Sequence, residues 1–267
     1  MSARSSGVHS ETDDRQNPRK FAQLSLQPAS MSQPFLNRVG TILFRVRSIA
    51  PVAVLFVVLR YIWKGHDVQA PGDQVLNWVG LGLAMLGALV RFVTIGLIPR
   101  GTSLQSRKLQ ASQLNTSGPY TVCRHPLYLG NYFITFGLLA IVHEPWAWLF
   151  GSLYVVVSQT LIARAEDALL AEKFGAQFEA WKNEVPAFLP RVWKLGEVRG
   201  AFAWKRALQR EVNPFVAWGS GVTLLLLWEE FTQGRLSAEE GRAFLAVQAA
   251  LLVLLIANKV WKKVSPA

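Results

Sequence analysis

Six stretches of this chain are apolar over lengths that reach or approach a bilayer's thickness. They run from Thr41 to Trp63, Val75 to Pro99, Leu127 to Val142, Trp146 to Ile162, Pro214 to Phe231 and Ala243 to Trp261. A helix needs roughly 20 apolar residues to cross the hydrocarbon core. Lipid offers no hydrogen-bond partners to a backbone, so such stretches must close their own bonds as helices. The expected fold is therefore all-α, a polytopic transmembrane bundle of about six spans. Composition agrees: of 267 residues, 51% are hydrophobic and only 17% charged. Pro51 falls inside the first stretch and predicts a kink or a late start there. His143-Glu144-Pro145 separates the third and fourth stretches by so little that they must form an antiparallel hairpin.

The net charge of +11 invites a nucleic-acid reading. Placement of the charges gives a simpler one. Arg38, Arg45 and Arg47 precede the first stretch, and Arg100, Arg107, Lys108 and Arg124 lie between the second and third. A long basic run, including Lys173, Lys182, Arg191, Lys194, Arg199, Lys205, Arg206 and Arg210, separates the fourth from the fifth. Lys259, Lys262 and Lys263 close the sixth. The alternate loops are poor in base or balanced by acid: Lys64 with Asp67 and Asp73, then Glu144, then Arg235 and Arg242 with Glu239 and Glu240. Basic loops on one side follow the positive-inside rule and place both termini in the cytoplasm. No nucleic-acid partner is needed. Tryptophans such as Trp63, Trp78, Trp146, Trp228 and Trp261 sit near the ends of stretches, as interfacial belts do. The run from Arg191 to Arg210 is read as a cytoplasmic surface facing anionic headgroups.

Residues 1–36 are polar and rich in Ser, Gln, Asn and Pro, a composition that buries too little to order itself. They are expected to form a disordered tail, with a membrane core over 37–195, then a connector and two further helices over 196–267. The single Cys123 excludes an internal disulfide and a cysteine metal site. The four histidines show no ligand spacing, and no metal is expected. Gly80, Ala84 and Ala88 recur every four residues and suit close helix approach. Gly80-Leu81-Gly82 lacks the third glycine of a dinucleotide loop. Arg91 lies well inside the second stretch. It either faces a bundle interior or polar cavity, or snorkels to the nearby end.

Polar residues suited to chemistry gather in two segments. In the first, Gly118-Pro119 punctuates the chain and Pro126 suits the first turn of a helix. Arg124 and His125 then stand at a helix N-terminus, whose free N–H groups favour an anion. In the second, Glu166 and Asp167 leave the membrane with the fourth stretch. The hairpin allows His125 and Glu166 to be neighbours, although far apart in sequence.

The run Gly118-Pro-Tyr-Thr-Val-Cys-Arg-His-Pro-Leu-Tyr-Leu-Gly130 resembles the signature of the isoprenylcysteine carboxyl methyltransferases, membrane enzymes related to phospholipid methyltransferases. Glu166-Asp167-Ala-Leu-Leu170, Phe174-Gly175, Phe178, Trp181 and Pro190 resemble that family's second motif. The resemblance covers roughly Val75 to Pro190. It implies S-adenosyl-L-methionine held in a cytosolic pocket over a helical bundle. Tyr120, His125, Pro126, Leu127 and Tyr128 would line that pocket, Glu166 would hold the cofactor from the opposite segment, and Leu114 and Asn115 would close it. Arg124 or His125 would meet the cofactor's carboxylate. Asp167 stands in place of the usual second glutamate. The family also places an arginine about one turn before the acids, facing the acceptor. Ile162 stands there in this chain, and the nearest arginine is Arg164. Arg164 either takes that role or marks a different acceptor.

Methyl transfer from a sulfonium is an in-line displacement. An anionic acceptor needs positioning and exclusion of water, whereas an amine must lose a proton, for which His125 or Glu166 could act as base. A lipid or lipid-linked acceptor suits a site at the membrane surface. Two other readings stay open at this level. Nicotinamide-dependent membrane reductases of the sterol-reductase type share an Arg-His-Pro helix start, but carry Asn after the proline and Glu shortly after the glycine. Here Leu127 and Asn131 occupy those places. A transporter or assembly protein would keep the bundle without the activity.

Overall fold

A computed structural model describes residues 35–46, 73–98 and 113–266. From Leu36 onward they belong to one compact unit, Leu36–Ala267; of the other unit, Met1–Phe35, only Phe35 is described. The expected polar tail, most of the first apolar stretch with Pro51, and the loop from residue 99 to 112 lie outside the described residues, as do Arg47, Lys64, Asp67, Arg100, Arg107 and Lys108.

The described residues are mostly helical. Its elements are α1 (Phe35–Val46), α2 (Asp73–Leu97), a 3-10 helix (Gly118–Thr121), α3 (Pro126–Val142), α4 (Pro145–Phe174), α5 (Ala176–Glu184), a second 3-10 helix (Val192–Glu197), α6 (Trp204–Thr232) and α7 (Ala238–Val264). There is no strand among the described residues. The fold is the all-α membrane bundle read from hydropathy. Gln74–Leu97, Pro145–Phe174 and Ala238–Val264 are long and apolar enough to cross a membrane, and Pro126–Val142 is a shorter apolar helix. The fifth apolar stretch is the distal part of α6, whose first turns carry Lys205, Arg206, Arg210 and Glu211.

Local signals set the helix ends. Pro126 opens α3 at the position where a missing N–H costs nothing. His143 ends α3 in the left-handed conformation at φ 57°, and Glu144 caps α4 by accepting from the Trp146 amide. The α3–α4 link is thus two residues long. Gly175 turns the chain from α4 into α5 at φ 51°, a conformation that glycine adopts without a Cβ penalty. Ser237 and Glu240 close a reciprocal capping box at the start of α7.

Helices α2 and α3 make the tightest contact. Gly80 faces Gly137 and Gly87 faces Gly130, and a Cβ on any of the four would run into the opposing backbone. Ala84 between them is fully buried. In lipid, where apolar surface gains little from leaving the solvent, such close backbone approach is a main source of packing energy. Helix α6 lies across this pair, burying Trp218, Val222 and Leu225 against Ala84, Ile141 and Val142. Nearer the other end, Ile95 and Ile98 pack on Ala207 with Phe92 and Phe202 beside them.

Arg91 faces the bundle interior. Its Nε and Nη2 donate to the two carboxylate oxygens of Glu211 at 2.8 and 2.9 Å, and its Nη1 donates to Asn131 Oδ1 at 2.7 Å. One fork from α2 therefore ties α6 and α3 together. A buried guanidinium with this bidentate partner is neutralised as well as bonded. Arg206 performs a similar task at the end of α2, donating to the carbonyls of Ile95, Gly96 and Ile98 that the helix itself leaves open.

Candidate active site at the basic end of the bundle

The end of the bundle where α3 begins and α4 leaves the apolar layer holds the two polar segments. Backbone bonds weld them together. Arg124 and His125 donate their amides to the carbonyls of Pro186 and Ala187 at 2.8 and 3.0 Å, and Arg191 donates to Val122 at 3.0 Å. Trp181 Nε1 donates to the Tyr120 carbonyl at 3.3 Å. The buried Cys123 thiol points its hydrogen at the carbonyls of Ala187 and Phe188. Burial pushes this thiol up to about 11, against the lowering effects of the His125 amide and the Arg124 guanidinium. It is a packed thiol rather than a nucleophile.

Across this weld, His125 meets both acids of α4. Its Nε2 lies 3.1 Å from Asp167 Oδ1, and its Nδ1 lies 3.7 Å from Glu166 Oε2. Tyr128, one turn into α3, donates its hydroxyl to Glu166 Oε1 at 2.5 Å. Arg124 Nη1 lies 3.1 Å from Asp167 Oδ2. His125 and Glu166 are both buried. A carboxylate leaves water only where partners replace its hydration, and Tyr128 and His125 are those partners for Glu166. Phe188 closes over the imidazole, its ring centroid 5.6 Å away. Burial, followed by the field of Glu166 and then Cys123, holds the Tyr120 phenol far above its ordinary pKa. Tyr120 is therefore a neutral wall.

Donors are left over as well. The buried Asn115 Nδ2 and the Arg124 Nε find no hydrogen-bond partner among the described residues. The Oδ1 of the same Asn115 is taken up by the Ser117 amide and hydroxyl. A buried donor without an acceptor costs about 1–3 kcal/mol, so these two groups suit an anionic ligand. The site thus pairs two carboxylates with spare cationic and amide donors. That donor set fits a zwitterionic ligand that also carries a sulfonium.

The remaining candidates fall around this centre. Leu114 packs with Phe178, Trp181 and Val185, and Tyr120 bridges that cluster to the one around Ile95. Pro126 is buried as the first residue of α3. Leu127 turns toward Ile95, Ile98 and Ala207, on the α2–α6 side. Arg164 is not brought in: it is exposed and, two residues from Glu166, about 200° round the helix from it. Ile162, one turn before Glu166, is buried against Tyr128, with Phe44 of α1 in the same cluster.

Sequence reasoning passed over three groups here. Asp167 carries two contacts, to Arg124 and His125, although it read only as a conservative replacement. Phe188 had no motif to mark it. Glu211 and Asn131, the partners of Arg91, were discoverable in part. Glu211 is an acid on the basic flank of an apolar stretch, and a charge inside a span needs an opposite one. Among the described residues, no group of three or more His, Cys, Asp or Glu side chains is placed to hold a metal ion.

Comparison with known proteins places this end of the bundle in context. A family model described as phospholipid methyltransferase matches residues 75–177. The chain is 29% identical to the nickel-cobalt-cadmium resistance protein NccN of Alcaligenes xylosoxydans xylosoxydans, over 76% of this chain and 90% of that protein. It is 32% identical to the cobalt-zinc-cadmium resistance protein CzcN of Cupriavidus metallidurans, over 56% of this chain and 68% of that protein. It is 27% identical to the protein-S-isoprenylcysteine O-methyltransferase of Rattus norvegicus, over 47% of this chain and 46% of that enzyme. No solved structure matches the chain.

Proposed function

The chain belongs to the isoprenylcysteine carboxyl methyltransferase-like family of membrane methyltransferases, and we propose that it moves a methyl group from S-adenosyl-L-methionine to a lipid-linked carboxylate, phosphate or amine. The observation that carries the proposal is the His125 imidazole set between Glu166 and Asp167, with Tyr128 bonded to Glu166, where α3 starts.

When bound, S-adenosyl-L-methionine supplies a methyl group on a sulfonium, the leaving group of an in-line displacement. The protein's part is placement. Glu166, locked by Tyr128, offers negative charge to the cationic or hydroxyl groups of the cofactor. Asn115 Nδ2 and Arg124 offer donors to its carboxylate, beside the positive end of the α3 dipole. Tyr120, Leu114 and Phe188 keep water away. With an anionic acceptor no proton has to move. With an amine, His125 or Glu166 would take the proton at the imidazole nitrogen or carboxylate oxygen. Arg164 remains a candidate to meet the acceptor only from the outer side of α4.

Two of the relatives are named for resistance to nickel, cobalt, zinc or cadmium. For this chain, methylation of a lipid carboxylate or phosphate would join such a role to the family's chemistry by removing negative charge from the bilayer surface.

The deciding test is calorimetric binding of S-adenosylhomocysteine to the detergent-purified protein, beside His125→Ala and Glu166→Ala, with NADPH as the comparison ligand. Saturable binding that both folded variants lose supports the proposal. A folded wild type that ignores S-adenosylhomocysteine and binds NADPH makes it a reductase instead.

A further inference from the structure

The segment that closes over His125 turns a greasy, basic face outward. Leu189 is 82% exposed, Val192 60%, Trp193 76%, Leu195 55% and Trp204 65%. Water-soluble surfaces scatter such residues singly; a contiguous run is a contact surface. Between them stand Arg191, Lys194 and Arg199, and Lys205 follows, with Glu197 the one acid from Arg191 to Arg210. Aromatic and aliphatic side chains interleaved with base are the composition of an element lying in the headgroup layer.

Its level in the fold agrees. The segment is pinned where the helices end. Ala203 donates its amide to Gly96 at the end of α2 at 2.8 Å, and a Cβ on Gly200 would lie 3.4 Å from the Leu97 carbonyl. At the other side, the Arg191 amide donates to Val122, three residues before His125. The segment thus rings the basic end of the bundle at the plane where apolar helix gives way to polar loop.

We propose that residues 189–204 are an interfacial anchor that takes anionic phospholipid, and that seating it in the bilayer holds the wall of the His125 site in place. The coupling is covalently short. Phe188, next to the exposed Leu189, packs at a tilt against His125, and Pro186 and Ala187 accept the amides of Arg124 and His125. Leu189 cannot leave the interface without pulling on those bonds. This second half rests on the cofactor reading given above; the anchoring itself does not.

The test uses the full chain in nanodiscs of phosphatidylcholine with or without phosphatidylglycerol. Trp193→Cys is labelled with an environment-sensitive fluorophore, the buried Cys123 staying unlabelled in the folded protein. Quenching by a doxyl group placed shallowly on the lipid acyl chain, stronger in the anionic discs, is the expected result. Quenching by aqueous iodide without lipid quenching gives the face to solvent or to a protein partner and overturns the anchor. Binding of S-adenosylhomocysteine then tests the coupling. A Leu189→Ser/Trp193→Ser/Lys194→Glu variant with unchanged helicity is expected to bind about five-fold more weakly than wild type in anionic discs. Equal binding overturns the coupling. If the wild type itself binds none, the methyltransferase reading fails, while the lipid quenching still decides the anchor.

Discussion

His125 has a carboxylate facing each ring nitrogen, so a change at any member of the group is felt by the others. Tyr128→Phe is the mildest probe, since it removes one oxygen and leaves the packing with Ile162 and Ala163. A hydrogen bond to a charged acceptor contributes about 1.5–3 kcal/mol, so the affinity for S-adenosylhomocysteine is expected to fall about ten-fold or more, read by calorimetry. Unchanged affinity would show that binding does not depend on the Tyr128–Glu166 bond. Cys123 gives a prediction in pH. Its thiol is raised from 9.0 to about 11, so the fold holds the neutral form. Whatever stability this supplies is whole below the unfolded value and is lost as pH rises through 9 toward 11. At about pH 8 the thiol is expected to resist a maleimide until the protein is unfolded, which mass spectrometry reads directly.

At the scale of elements, the fork between α2, α3 and α6 has the sharpest consequence. Removing one partner of a buried pair strands the other charge and costs about 3–5 kcal/mol, while replacing both by apolar groups is far less costly. Glu211→Leu is therefore expected to lower thermal stability in detergent more than the Arg91→Leu/Glu211→Leu pair does. A double variant as damaged as the sum of its singles would show that the two side chains do not act together. The outcome also bears on domain organisation. Within residues 196–267, the expected connector and two further helices, Glu211, Ala207 and Trp218 of α6 pack against α2 and α3.

For the whole molecule, orientation follows from charge. Lys194 of the second 3-10 helix and the Lys259, Lys262 and Lys263 end of α7 lie at the site end, where Lys205 donates to Ser265. The far end carries Glu229, Glu230, Glu239 and Glu240 beside Arg235 and Arg242. The positive-inside rule then predicts a cytoplasmic site and a cytoplasmic C-terminus. A green fluorescent protein fused after residue 267 is expected to fluoresce, and an alkaline phosphatase fused there to stay silent; the reverse would invert the topology. What the sequence determined by itself was whatever is periodic or local: the helical class, because apolar length and backbone satisfaction leave no alternative in lipid; the α3–α4 hairpin, because two residues permit no other path; and the two motifs, because each is contiguous. The tertiary structure decided the rest. Which residue answers Arg91, which carboxylate oxygen takes Tyr128, that Arg164 faces away and that Phe188 covers His125 all depend on helix rotation and crossing. Those are set by which glycines let two backbones touch, and no stretch of chain carries that information alone.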